Sequence, residues 1–159
     1  MNRRNVLSLS AITVLGLALL SGNAIAQQAA DMEGVKAASK AFYVALAAVD
    51  GGAAMEKVWA RTPYVTYVGP RNKSVLIGWD AVRKYFEETD KLFSQRTVSL
   101  GDQHIHANGN LAWEMGQESG TLKMKDGKEA KADYIVTNIY EKIDGRWFVA
   151  SHHVQPKPQ

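Results

Sequence analysis

Cysteine is absent from all 159 residues. Disulfide stapling, thiolate nucleophiles and cysteine metal sites are therefore excluded, and stability has to come from packing. A charge excess of one sign is lacking too. The 19 Lys and Arg face 16 Asp and Glu, with no basic block and no basic–aromatic interleaving. That balance leaves no electrostatic footprint for nucleic acid. Proline is scarce, internal repeats and low-complexity segments are missing, and no long apolar run follows the first twenty residues. No later segment therefore reads as a membrane-spanning helix.

What is present begins with an address. Met1-Asn-Arg-Arg-Asn5 is basic, Val6 to Leu20 is apolar and uncharged, and Ala24-Ile-Ala26 has the small-x-small pattern. The succession predicts a secretory signal peptide over 1–26, cleaved before Gln27, and a periplasmic or secreted protein. The apolar run is shorter than the roughly 18–20 residues of a membrane span. Arg3-Arg4 leaves general secretory and twin-arginine export both open. No cysteine follows the apolar run, so a lipoprotein anchor is excluded. The remaining 27–159 suits one domain, with 17 basic against 16 acidic side chains once Arg3 and Arg4 are gone.

Period and punctuation predict the elements. Met32, Val35, Phe42, Leu46 and Val49 recur at helical spacing, and Asp50-Gly51-Gly52 ends that helix. A short second helix is expected over Ala53–Trp59, a strand over Tyr64–Val68 and a brief strand over Ser74–Ile77. A third helix opens at Asp80, with Val82, Tyr85, Phe86, Thr89 and Phe93 on one face. Asn108-Gly109, Asp126-Gly127 and Asp144-Gly145 then separate runs rich in β-branched and aromatic residues. Asx-Gly in such places predicts type I′ hairpins and hence a four-stranded antiparallel meander from Val98 onward. The last residues, Gln155-Pro-Lys-Pro-Gln159, are expected to fray.

That order of elements is similar to the nuclear transport factor 2-like superfamily, and the residues resemble its SnoaL-like branch. The matching stretches include Leu46-Ala-Ala-Val-Asp50, Val58-Trp-Ala60, Val68-Gly-Pro70, Gly78-Trp-Asp-Ala-Val82, Gly109-Asn-Leu-Ala-Trp113, Thr137-Asn-Ile139 and Asp144-Gly-Arg-Trp-Phe-Val149 with Ser151-His-His153. The resemblance implies an α+β conical half-barrel. About three N-terminal helices would pack in a curved, mostly antiparallel sheet of five to six strands, leaving a pocket at the wide end. Members include isomerases, cyclases, dehydratases, hydrolases and non-catalytic binding or dimerisation domains, so fold alone leaves the activity open. Ketosteroid isomerases of this superfamily use a carboxylate base and an oxyanion hole of a tyrosine and a protonated Asp. Tyr43 within Tyr43-Val-Ala-Leu46 resembles that tyrosine. Tyr67 and Thr137 stand where the carboxyl groups would be, which argues against that mechanism here.

The candidate site residues follow. On the last strand Trp147, Val149, Ser151 and His153 share a face by period two, which would aim His153 toward the cone's open end. His153 is then a candidate base or donor beside Tyr43, with activity falling as pH drops through the imidazole range; a structural, carbonyl-bonded histidine is the alternative. Tyr67, Trp113 and Thr137 are the expected ligand-binding residues. Glu114 is expected on the solvent face, although turned inward it would be the best general base. His104 and His106 share a strand face and could chelate a metal with His152 or His153, but no fixed-spacing motif supports it, and neither a metal nor a cofactor is expected. The expected partner is a small apolar or aromatic ligand. Both faces of the meander are apolar, which predicts a homodimer through the outer sheet face. A non-catalytic interaction or carrier module is the alternative function.

Overall fold

The computed structural model describes residues 9–157, with side chains from Ala24 onward. Of the expected signal segment 1–26, residues 1–8 therefore lie outside the described residues, and residues 9–23 are described by their backbone alone. Two α-helices and six strands make the fold: α1 (Leu9–Ala48), β1 (Thr66–Val68), β2 (Leu76–Ile77), α2 (Trp79–Asp90), β3 (Phe93–Asn108), β4 (Leu111–Met124), β5 (Glu129–Ile143) and β6 (Arg146–Pro156). The expected short helix over Ala53–Trp59 is one 3₁₀ turn, Met55–Lys57, so the α-helices among the described residues number two, not three. Its residues are pinned between Gly52 and Trp59, too few to sustain an α-helical nucleus. Trp59 already bridges to Val149, where Ala60 N donates to Val149 O at 2.8 Å and Val149 N to Val58 O at 2.9 Å.

The single sheet runs β2-β1-β6-β5-β4-β3, antiparallel except for the β1–β6 pair. All three Asx-Gly dipeptides mark hairpins, but only one is the expected turn. Asp144 and Gly145 both have positive φ, 49° and 78°, as type I′ requires. At the first hairpin Asn108 pairs Leu111, so the two-residue loop is Gly109-Asn110, and only Gly109 has positive φ. That is the type II′ arrangement. At the second, Gly127 N donates to Met124 O and Gly127 alone is left-handed, as in a bulged loop. β3 starts five residues earlier than expected, at Phe93, because α2 stops at Asp90. The tail does not fray at Gln155 and Pro156, which pair with Ile135 and Tyr134.

The inner face of the sheet wraps α1, whose Val35 and Phe42 are fully buried, with α2 closing the side through Val82 and Phe86. Burying side chains of this size contributes roughly 1.5–3 kcal/mol each. Gly34 permits the close approach: a Cβ there would lie 2.6 Å from Cδ1 of Trp147. Residues 24–30 are exposed, and the packed part of α1 begins with Asp31, ion-paired to Lys142 of β5. Two bulges decide which side chains face inward. β6 carries an extra residue, Ala150, between the pairs Tyr140–Val149 and Ile139–Ser151. β3 carries an extra residue between Gly101 and His104, where Asp102 has φ 48°.

A buried ion pair locks the three layers at one end. Asp90, the last residue of α2, accepts from Gly51 N at 3.0 Å and Gly52 N at 3.1 Å, just past the end of α1. Its other oxygen pairs with Arg96 of β3, which also donates to Leu46 O at 3.3 Å and to Thr89 Oγ1 at 3.3 Å.

Candidate functional site

Between α1, α2 and the inner sheet face lies a cavity of about 100 Å³. Phe42, Tyr67, Tyr85, Phe86, Phe93 and Tyr134 contribute rings to its wall, and Glu118, His152 and Arg96 are buried in it. β4 alternates strictly, burying Ala112, Glu114, Gly116 and Glu118 and exposing Leu111, Trp113, Met115 and Gln117. β6 alternates too, but its bulge at Ala150 swaps the faces, so Trp147, Val149, His152 and Val154 point inward. His152 thus enters the core, held between the rings of Phe42 (centroids 4.9 Å apart) and Tyr67 (5.3 Å, nearly parallel).

A chain of hydrogen bonds orients this imidazole. Glu114 is fully buried, and its carboxylate accepts from Tyr140 Oη at 2.6 Å, Asn138 Nδ2 at 2.8 Å and Gln103 Nε2. A carboxylate accepts and does not donate, so Asn138 must turn its amide nitrogen to Glu114 and its carbonyl oxygen to His152. His152 Nδ1 lies 2.7 Å from that oxygen and therefore carries the proton. Nε2 is left with its lone pair, 4.0 Å from Glu118 Oε2. Tyr140 hydroxyl, buried and hydrogen-bonded, stays protonated, because burial and Glu114 push its pKa up.

Burial sets the charge of the pair. It raises the Glu118 carboxyl to about 7 and lowers the His152 imidazole to about 3, so below about pH 7 the one proton of the pair resides on Glu118. Glu118 Oε2 is buried without a hydrogen-bond partner among the described residues. A separation of 4.0 Å is long for a direct hydrogen bond but is spanned by a small group touching both atoms. The arrangement places a carboxylic acid donor and an imidazole lone pair on one apolar cavity.

The residues expected from sequence are scattered by this geometry. Tyr67 lines the cavity. Tyr43 is buried beside Asn138 and Glu118, its hydroxyl without a well-formed hydrogen bond and its pKa raised by burial and then by Glu118. It faces a shallow groove between α1 and β3 rather than the cavity. His153 is exposed on the outer face, opposite half-buried Thr137, so its expected aim into the cone is corrected by the β6 bulge. Trp113 is exposed as well, stacked on His106 at 5.7 Å, and does not wall the pocket. Glu114 reverses the expectation of a solvent-facing acid, but its oxygens are occupied by three donors. His104 and His106 lie on the outer face while His152 is inside, so the three cannot meet on one ion. No group of three or more metal-ligating side chains occurs among the described residues. Sequence reasoning missed Glu118, Asn138 and His152. Period two from Glu114 was the available signal for Glu118, two pairs further along β4.

The SnoaL-like domain family matches residues 35–155. No curated protein matches the chain by sequence. Among solved structures, a candidate dehydratase of the NTF2-like family from Streptomyces avermitilis is similar with a TM-score of 0.73 at 22% identity, covering 82% of this chain and 99% of that one. A candidate calcium/calmodulin-dependent protein kinase II association domain from Xanthomonas campestris gives a TM-score of 0.61 at 25% identity, covering 79% and 86%. A candidate aromatic ring hydroxylase from Novosphingobium aromaticivorans gives 0.73 at 14% identity, covering 81% and 90%. The helix-lined, six-stranded sheet has the fold of the NTF2-like structures, and the family match covers most of the chain: this protein belongs to the SnoaL-like domain family.

Proposed function

We propose that the protein binds a small, largely apolar or aromatic molecule in its cavity and moves a proton on it, as an isomerase or lyase. One observation carries the reading: the unpartnered, buried Glu118 oxygen stands 4.0 Å from the free nitrogen of an imidazole locked in one tautomer. An imidazole depressed by burial is a poor base by itself. It gains basicity as Glu118 gives up its proton, because an imidazolium beside the new carboxylate is no longer unpaired. The step is therefore coupled. The Glu118 proton passes to a substrate oxygen, either a carbonyl or a departing hydroxyl, while a carbon-bound proton passes to His152 Nε2. In an isomerisation Nε2 returns its proton at a second carbon, and Glu118 takes its own back from the oxygen. Loss of the hydroxyl as water would make the same step an elimination.

Such chemistry needs Glu118 protonated, so its rate should fall as pH rises above about 7. This is opposite to the dependence expected of a free histidine base. The test uses small enolisable cyclic ketones such as 3-cyclohexenone in D₂O. Wild-type protein should exchange or isomerise them about 10²-fold or more faster than Glu118→Gln. Equal rates, with the ketone still shifting the His152 ring resonances, would make the protein a carrier instead of an enzyme.

Export and dimerisation complete the proposal. The basic–apolar–Ala-Ile-Ala succession supports removal of 1–26 and a periplasmic or secreted location, and the exposure of residues 24–30 agrees with a domain that does not need them. Leu111, Trp113, Met115 and Ile139 form an exposed apolar set on the outer sheet face. A patch of this kind supports a homodimer, as does similarity to an association domain. Native mass spectrometry of periplasmic protein should give a dimer of chains starting at Gln27, and Trp113→Glu should give monomer. A monomer in the wild type, or a chain starting at Met1, would refute the corresponding half.

A further inference from the structure

We infer that the molecule taken by this cavity is a small monocarboxylate, a ring or short unsaturated chain whose carboxylate is held at the mouth by Arg71. The inference rests on the cavity being a ligand site and adds the chemical class of the ligand.

The charges around the cavity lead to it. Arg96 on the wall is matched by Asp90, and His152 is buried and neutral. Arg71 is different. It lines the cavity, is exposed at its mouth, and makes no ion pair among the described residues. Nor is it placed by a loose loop. Gly69 to Asn72 is a closed turn: Asn72 N donates to Gly69 O at 3.1 Å, and the Asn72 side chain accepts from Gly69 N at 2.9 Å. Pro70 occupies the second position, where its fixed φ suits the turn, and Arg71 the third. The backbone of Arg71 is thus anchored beside the cavity, and its charge acts on the hydroxyl of Tyr134, which lines the same cavity.

Size supplies the second argument. The cavity holds about 100 Å³, smaller than the dry apolar cavity of about 150 Å³ known to enclose benzene. A ring-sized ligand therefore cannot be wholly swallowed, and one end must project through the mouth. The buried end meets Glu118, His152 and aromatic walls. The projecting end meets a guanidinium whose planar fork matches a carboxylate better than any neutral group.

Benzoate and benzamide are nearly isosteric and differ in charge, so they separate the possibilities. Each is titrated into the wild type, Arg71→Lys and Arg71→Met, with binding read from the His152 ring resonances and the shift in thermal midpoint. Wild type should prefer benzoate; Arg71→Met should bind it about ten-fold more weakly, and Arg71→Lys should recover part of the loss. Benzamide should be indifferent to both substitutions. Benzamide binding as well as benzoate, or benzoate unaffected by Arg71→Met, would overturn the anion inference and leave the ligand pocket standing. Failure of both compounds to perturb His152 would remove the pocket reading and this inference together.

Discussion

Glu118→Gln should be as stable as wild type at pH 4.5 and about 3 kcal/mol more stable at pH 7 and above. The cause is the folded-state pKa of about 7 for a carboxyl that titrates at 4.5 when exposed. Between those values the unfolded chain releases the Glu118 proton and the folded chain keeps it. Folding stability from this group is therefore complete below pH 4.5 and is lost as pH rises toward 7. His152 acts in the other direction: its folded value near 3 against 6.5 unfolded means that stability is lost as pH falls from 6.5 toward 3. From pH 4.5 to 6.5 folded and unfolded chains hold one proton each on the pair, and the two slopes cancel. Removing Glu118 uncovers the histidine alone, so Glu118→Gln should gain stability relative to wild type at about 1.4 kcal/mol per pH unit across that window. Urea denaturation of both proteins at half-unit intervals measures the difference, in which the other titrating groups cancel. A gap independent of pH would mean that Glu118 is not held protonated by the fold. The same substitution should abolish proton transfer, separating a gain in stability from a loss of activity.

The second large effect is expected at the far end of the cavity. Asp90→Ala should cost about 3–5 kcal/mol, because it strands a buried guanidinium and leaves two glycine amides without their acceptor. Arg96 is 5% exposed by side chain, so water cannot replace the lost carboxylate without opening the junction of α1, α2 and β3. Replacing both partners together, Asp90→Leu with Arg96→Met, should recover much of this, since no charge is then left unpaired. A thermal midpoint for Asp90→Ala within a degree or two of wild type would show that the pair is not structurally needed. The double variant also tests the cavity wall, because Arg96 lines it.

Much of this architecture was legible because short-range rules set it. Helical spacing of Val35, Phe42 and Leu46 identified the packed part of α1, and three Asx-Gly dipeptides located the hairpins of β3 to β6. Turn types were less legible. Asn108-Gly109 became a Gly-Asn loop because strand pairing extended to Asn108 and Leu111, an outcome set by both strands together. The expected short second helix failed because the six residues between Gly52 and Trp59 make one 3₁₀ turn before Val58 and Ala60 bond to Val149 of β6.

Within the site, the sequence named Tyr67 of the aromatic wall but set Trp113 inward and Glu114 outward, because period two sorts β4 into two faces without deciding which is inside. Only the tertiary structure decided that. The Ala150 bulge exchanged His153 for His152, and the β3 bulge brought Gln103 to Glu114. A bulge inverts every side chain beyond it, yet it arises from how two strands and the segment at Val58–Ala60 share the hydrogen bonds of Val149, which no local pattern encodes. Burial then moved the Glu118 and His152 pKa values in opposite directions, a property of the space around the two groups and not of the residues themselves.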